Sequence, residues 1–155
     1  MNSMVAGAAR RKSDSPSGRW VGFELNRQCF GVKIEQVREV LASAMIEPVP
    51  GAPSLVLGVI NLRGRIVTVL DLHRCMDMTR ASDQETCVII VDFEGEPLAL
   101  RVDRIAELCS VSEAAIKPAP PTAQGGANAS VSGIVSRDGA LLTLLDLNLL
   151  LKAAT

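Results

Sequence analysis

Residues Gly58–Leu72 read GVINLRGRIVTVLDL and residues Gly133–Leu147 read GIVSRDGALLTLLDL, aligned without a gap at a spacing of 75 residues. Each copy is an apolar strand, a tight Gly-bearing turn, a second apolar strand and then Asp-Leu. That pattern is a β-hairpin signal, with Arg63-Gly64 and Asp138-Gly139 as the turn residues. A chain that repeats such a unit must build two similar β-structures and bury them against something. The second strands, Ile66–Leu72 and Leu141–Leu147, are apolar at nearly every position. Unbroken apolar runs belong to strands covered on both faces, so these two strands are the expected seam. The tips are not repeated: Asn61-Leu62-Arg63-Gly64 in the first copy stands opposite Ser136-Arg137-Asp138-Gly139 in the second.

The duplication extends upstream at a spacing of 68 residues. Val88–Phe93 mirrors Trp20–Leu25, Leu98–Leu100 mirrors Phe30–Val32, and Val102–Leu108 mirrors Ile34–Val40. Each half then has about five short strands. The class is mainly β, with a few short helices. Lys33–Gln36 is expected as a turn and Val37–Leu41 as a strand that alternates. Pro53 is placed to open a brief helix that ends before Gly58. Asp71 and Asp146 are placed as N-caps of short helices after each seam strand, and the Ser110–Glu113 spacing suits a capping box. Asp77–Glu85 and Pro118–Ala129 read as linker and loop. Residues 1–18 are small, polar and basic, and are expected to be a disordered tail. The folded region is then 19–152, with one subdomain near 19–80 and the other near 86–152.

Composition limits the chemistry. The chain has 155 residues, 48% of them hydrophobic but only 3% aromatic, and a formal net charge of −1. The core is therefore aliphatic. A nucleic-acid binder needs excess cations and exposed aromatics, and this chain has neither. The four cysteines, Cys29, Cys75, Cys87 and Cys109, form no C-x-x-C pair. They read as reduced thiols in a cytoplasmic protein, with no metal site. His73 is the sole histidine and, following a strand end, is expected at the surface. Asp71 and Asp146 are repeat mates, but their Asp-Leu-His and Asp-Leu-Asn contexts suit helix capping better than a proton-sharing dyad. No phosphate loop, nucleophile–base pair, cofactor site or membrane-length apolar run is present, so the chain reads as a binding module and not an enzyme.

The best handle for binding is the first tip. A guanidinium on a tight turn can fork onto a carboxylate or onto carbonyls. Glu39, on the Val37–Leu41 strand, is the expected internal partner of Arg63.

Gly58–Leu72 resembles the signature of the CheW-like domain family. So do Phe30-Gly31-Val32 with Val37–Val40, Ile46–Pro50, Leu100–Ile105 and Ile116–Pro120. The resemblance covers about residues 19–152. It implies two SH3-like five-stranded β-barrel subdomains on a shared aliphatic core. It also implies a scaffold that couples the cytoplasmic tips of methyl-accepting chemoreceptors to the regulatory domain of the histidine kinase CheA, with other CheW-like domains joining end to end in rings. Such a scaffold is cytoplasmic and is recruited to receptor arrays. It serves swimming chemotaxis and also pilus-driven motility, developmental and second-messenger pathways. By that resemblance Arg63 and Glu39 match the functional Arg and Glu, and Val37 and Gly58 match positions lining a receptor groove. Asn61, Leu62 and Gly64 complete the contact tip. Ala99 stands where many members have Gly near the groove, and Thr68 where the family often has Pro.

Overall fold

The computed structural model describes residues 17–80, 87–119 and 130–154. The strands are β1 (Ser17–Leu25), β2 (Gln28–Lys33), β3 (Val37–Leu41), β4 (Val56–Leu62), β5 (Arg65–Asp71), β6 (Cys87–Phe93), β7 (Glu96–Val102), β8 (Arg104–Ser112), β9 (Val131–Arg137) and β10 (Ala140–Leu145). Two short α-helices, α1 (Leu72–Cys75) and α2 (Leu147–Ala154), follow the seam strands. Single 3-10 turns occupy Ile34–Gln36 and Glu113–Ala115. Four hairpins have two-residue turns whose central residues, Asn26-Arg27, Arg63-Gly64, Glu94-Gly95 and Asp138-Gly139, all take positive φ. This is the type I′ geometry whose twist matches that of the flanking strands.

The strands form two sheets of five, β9-β10-β2-β1-β8 and β3-β6-β7-β5-β4. The halves of the sequence and the sheets do not coincide. The hairpin β1–β2 joins the strands of the second half, and β6–β7 joins those of the first. A division at residues 81–86 therefore does not separate one sheet from the other. The cause lies in the crossovers: only Ile34–Gln36 separates β2 from β3, and only Asp103 separates β7 from β8. Both edges of β2 and of β7 are already paired within their own sheets, so the strand that follows each short link pairs in the other sheet.

The register preserves the repeat throughout the swap. Val37 pairs with Val91 as Ile105 pairs with Phe23, and both ladders carry a bulge at the same place. The parallel pairs Val69–Ala99 and Leu144–Gly31 are likewise equivalent. Each sheet curls around its own apolar cluster. Trp20, Cys109, Val111, Val135, Leu142 and Leu144 fill one, and Ile60, Val67, Val69, Val88, Ile90 and Ala99 fill the other. A third, larger cluster joins the sheets and includes Phe23, Phe30, Leu70, Ile89, Leu100, Leu145 and Leu150. Successive residues of β5 and β6 alternate between a barrel interior (Val69, Ile90) and this seam (Leu70, Ile89). That alternation is why the strands carry no polar face.

Several local expectations change. β1 begins at Ser17, which pairs with Ser112; residues 1–16, expected as a tail, lie outside the described residues. The seam strands are covered only in their C-terminal parts, since Ile66 and Leu141 remain 63% and 62% exposed. Pro53 opens a turn, closed by Val56 N–H donating to the Pro53 carbonyl, and not a helix. Ser112, two residues past Ser110, caps the second 3-10 turn by accepting from Ala114 N–H. Asp71 and Asp146 do cap their helices, accepting from His73 N–H and Leu149 N–H respectively. Each carboxylate is thus engaged locally.

His73 departs most from expectation, because it is fully buried. Its Nε2 lies 3.1 Å from Asp103 Oδ2 and its Nδ1 3.5 Å from Asp71 Oδ1. Burial by itself raises the Asp103 pKa, but the Asn26 N–H, His73 and Arg80 outweigh it and hold this carboxyl below its usual value. A carboxylate depressed in the folded state stabilises the fold above its ordinary pKa of about 4, and that stabilisation is lost as the pH falls through the folded value. We expect Asp103→Asn to melt below wild type at neutral pH, with the gap narrowing below about pH 4. Melting midpoints measured across that range check this.

Candidate functional site

The β4–β5 hairpin tip sits on an exposed rim. Arg63 and Gly64 have φ of 53° and 84°, and Asn61 Oδ1 accepts from Gly64 N–H at 2.8 Å. The Asx contact and the left-handed pair fix the turn, and so fix the direction in which Arg63 leaves it. Its guanidinium donates to both carboxylate oxygens of Glu39, Nη1 to Oε1 at 2.8 Å and Nη2 to Oε2 at 3.0 Å. The side-chain hydrogen bond from Arg63 holds the Glu39 carboxyl below its usual pKa. Arg63 remains 73% exposed at the side chain while making this fork, which leaves further N–H groups for a partner.

The expected Arg63–Glu39 pair is present, but not because β3 is paired with the hairpin. β3 and β4 are the two edge strands of their sheet. The sheet curls until its edges face each other, and the ion pair spans the opening. Beside it runs an apolar groove of about 660 Å³, lined by Leu41, Ala44, Met45, Ile60, Leu62 and Ile66 among others. Met45 is 82% exposed. The segment before β4 crosses the hairpin to form one wall, and Glu47 exchanges both backbone hydrogen bonds with Val59 at 2.9 Å. This crossing explains Gly58. A Cβ there would lie 2.1 Å from the Glu47 carbonyl oxygen. Gly58→Ala should therefore cost about 2–3 kcal/mol by overpacking. Gly64→Ala, with open space around it, should cost only about 1 kcal/mol of backbone strain. Urea unfolding of the two variants tests the ranking.

Among the eight residues singled out, Arg63, Glu39, Asn61, Leu62 and Gly64 converge at this rim. Val37 is half-buried and packs on the shared core. Gly58 lies beneath the crossing segment. Ala99 is fully buried among Ile90, Val69 and Val88. Its methyl is therefore core, and it does not face a groove. The reason is the parallel pairing with Val69, which puts it inside the barrel as its repeat mate Gly31 is inside the other. Met45 and Ile66 were not singled out. The signal available for Ile66 was its place next to the tip, one residue past Arg65.

The opposite end lacks this arrangement. The repeat places Glu107 where the first half has Glu39, and Asp138 where it has Arg63. Both are exposed, and the tip is held instead by Arg137 donating to the Ser110 carbonyl at 3.1 Å. The first tip thus combines an oriented cation with an apolar groove, which suits protein–protein contact. Among the described residues no cluster of His, Cys, Asp and Glu could hold a metal ion, and no helix is long and apolar enough to cross a membrane.

Comparison with known proteins agrees with this architecture. Residues 19–155 match the family described as the CheW-like domain. The chain is 32% identical over 129 residues to the chemotaxis protein CheW of Rhizobium meliloti, covering 83% of each chain. It is 30% identical over 142 residues to the protein FrzA of Myxococcus xanthus, covering 90% of this chain and 88% of that one. The crystal structure of the scaffolding protein TtCheW from Thermoanaerobacter tengcongensis superposes with a TM-score of 0.76 at 31% identity, covering 87% of this chain and 92% of that one. With the paired sheets, the duplicated hairpins and these matches together, the chain belongs to the CheW-like domain family.

Proposed function

We propose that this protein is a non-enzymatic adaptor that couples methyl-accepting chemoreceptors to the histidine kinase CheA. The observation that carries the reading is the Arg63–Glu39 fork, held at the rim of an exposed apolar groove in a chain of this family. The groove and the exposed Met45 and Ile66 offer apolar anchors, and Arg63 supplies register and orientation. The regulatory domain of CheA is assigned to this end of the molecule. The receptor tip is assigned to the junction of the two sheets, where Val37 packs on the shared core, while Gly58 lets the crossing segment close over the neighbouring groove. The protein works in the cytoplasm, drawn to the membrane by its partners.

In a second reading the same surfaces serve a chemosensory pathway other than swimming chemotaxis; one relative, similar over 90% of the chain, is FrzA and does not carry the name of a chemotaxis protein. Both readings are tested by sedimenting receptor-bearing membranes with purified CheA and this protein, with kinase autophosphorylation as readout. The expected result is co-sedimentation and raised kinase activity. A protein that sediments with neither partner overturns the adaptor reading.

A further inference from the structure

Among the described residues, the buried cluster around His73 occurs on one flank of the molecule only. Asp103, at the crossover between sheets, accepts from Asn26 N–H at 2.7 Å and contacts His73 Nε2 at 3.1 Å and Arg80 Nε at 3.5 Å. Its own N–H donates to the Glu24 carbonyl at 3.0 Å. Asn26 Nδ2 donates to the Thr79 carbonyl at 2.8 Å. On the far side of the imidazole, Asp71 is 3.3 Å from Arg101 and 3.4 Å from Arg74. Asn26 and Glu24 belong to the β1–β2 hairpin of one sheet, whereas Asp71 and Arg101 belong to the other and His73 to the helix α1 that follows it. The cluster therefore ties the two sheets together through charge-assisted contacts around a fully buried ring.

The repeat supplies an internal control. At the equivalent flank His73 becomes Asn148, Asp103 becomes Glu35 and Asn26 becomes Glu94. All three are exposed. Two acidic side chains stand where the first flank has a hydrogen-bonded pair, and Asp92, the mate of Glu24, turns to Arg38 within its own sheet. Buried ion pairs often add little net stability over apolar packing, so the contribution of this cluster is sought in geometry. We propose that the sheets are hinged at the His73 cluster, which fixes their mutual orientation on that flank, so that relative motion of the sheets is expressed at the Glu35–Glu94 flank. On the adaptor reading, this hinge sets the spacing between partner surfaces carried by different sheets. The test is structural and stands whether or not the protein couples receptor to kinase.

Native-state hydrogen exchange of the full chain, followed by NMR, decides the matter. In wild type the Asn26 and Asp103 amides should exchange at least about tenfold more slowly than those of Glu94 and Glu35. Equal rates overturn the hinge. His73→Asn, which installs the residue of the other flank, should bring the Asn26 and Asp103 amides to the faster rates while Ile89 and Val32 keep theirs. His73→Phe keeps ring volume without ring N–H groups, and should have the same local effect. Retained protection in His73→Phe, or uniform acceleration of every amide in either variant, would mean that the ring only fills space. If both variants fail to fold, the wild-type comparison still decides.

Discussion

Val69→Asp should abolish the cooperative melting transition. Val69 is fully buried in the interior of its barrel, with Ile60, Val67, Val88, Ile90 and Ala99 around it. Ladders to β4 and β7 hold its backbone on both sides, through Gly58 and Ala99. Losing the valine removes about 2 kcal/mol of apolar burial. A carboxyl group there meets no donor, and burying an unpaired polar group adds several kcal/mol more. Domains of this size are stable by roughly 5–15 kcal/mol, so the substitution consumes most or all of that margin. Ile66→Asp, on the same strand but at a residue 63% exposed, should melt close to wild type. Circular dichroism melts of the pair check both statements. A soluble Val69→Asp with a normal midpoint would refute the burial of the inner face of β5.

That contrast marks how much of the fold is legible in the sequence. The repeat and its turns are visible because hairpin strands alternate and type I′ turns demand residues that tolerate positive φ, as at Asp138-Gly139. The exchange of hairpins between sheets is not visible. Similarity shows which segments are alike, and Trp20–Leu25 matches Val88–Phe93 equally well whether each pairs within its own half or with the other. Ile66 and Leu141 look like their buried neighbours because composition does not record where a strand leaves the shelter of the opposing sheet. The burial of His73 escapes the sequence for a related reason. Its burial depends on Asp71 nearby and on Asp103, thirty residues away, which reaches it only through the crossover. At the site, the Arg63–Glu39 pair is legible from charge and turn chemistry, although curling of the sheet brings it together and strand pairing does not. The burial of Ala99 follows from its equivalence to Gly31, whose added Cβ would sit 3.3 Å from Leu144.

Arg63→Glu should leave the fold intact and abolish coupling. The side chain is exposed and its ion pair lies at the surface, where such pairs contribute little to stability. The turn backbone is set by Asn61 and Gly64, which the substitution does not touch. The effect on function is different in kind. Reversal places two carboxylates at the rim, so a partner acid that meets Arg63 now meets like charge, a penalty that acts on recognition. Melting curves should stay near wild type, while co-sedimentation and kinase stimulation fall to the level seen without adaptor. The exchanged double variant, Glu39→Arg with Arg63→Glu, separates two causes. It restores the internal fork but presents the cation from β3 and not from the hairpin tip. If Arg63 contacts a partner, the double variant stays uncoupled. If the pair serves only to hold the curled sheet closed, coupling returns, and the tip is then a structural clasp beside the groove, leaving Met45 and Ile66 as the contact residues.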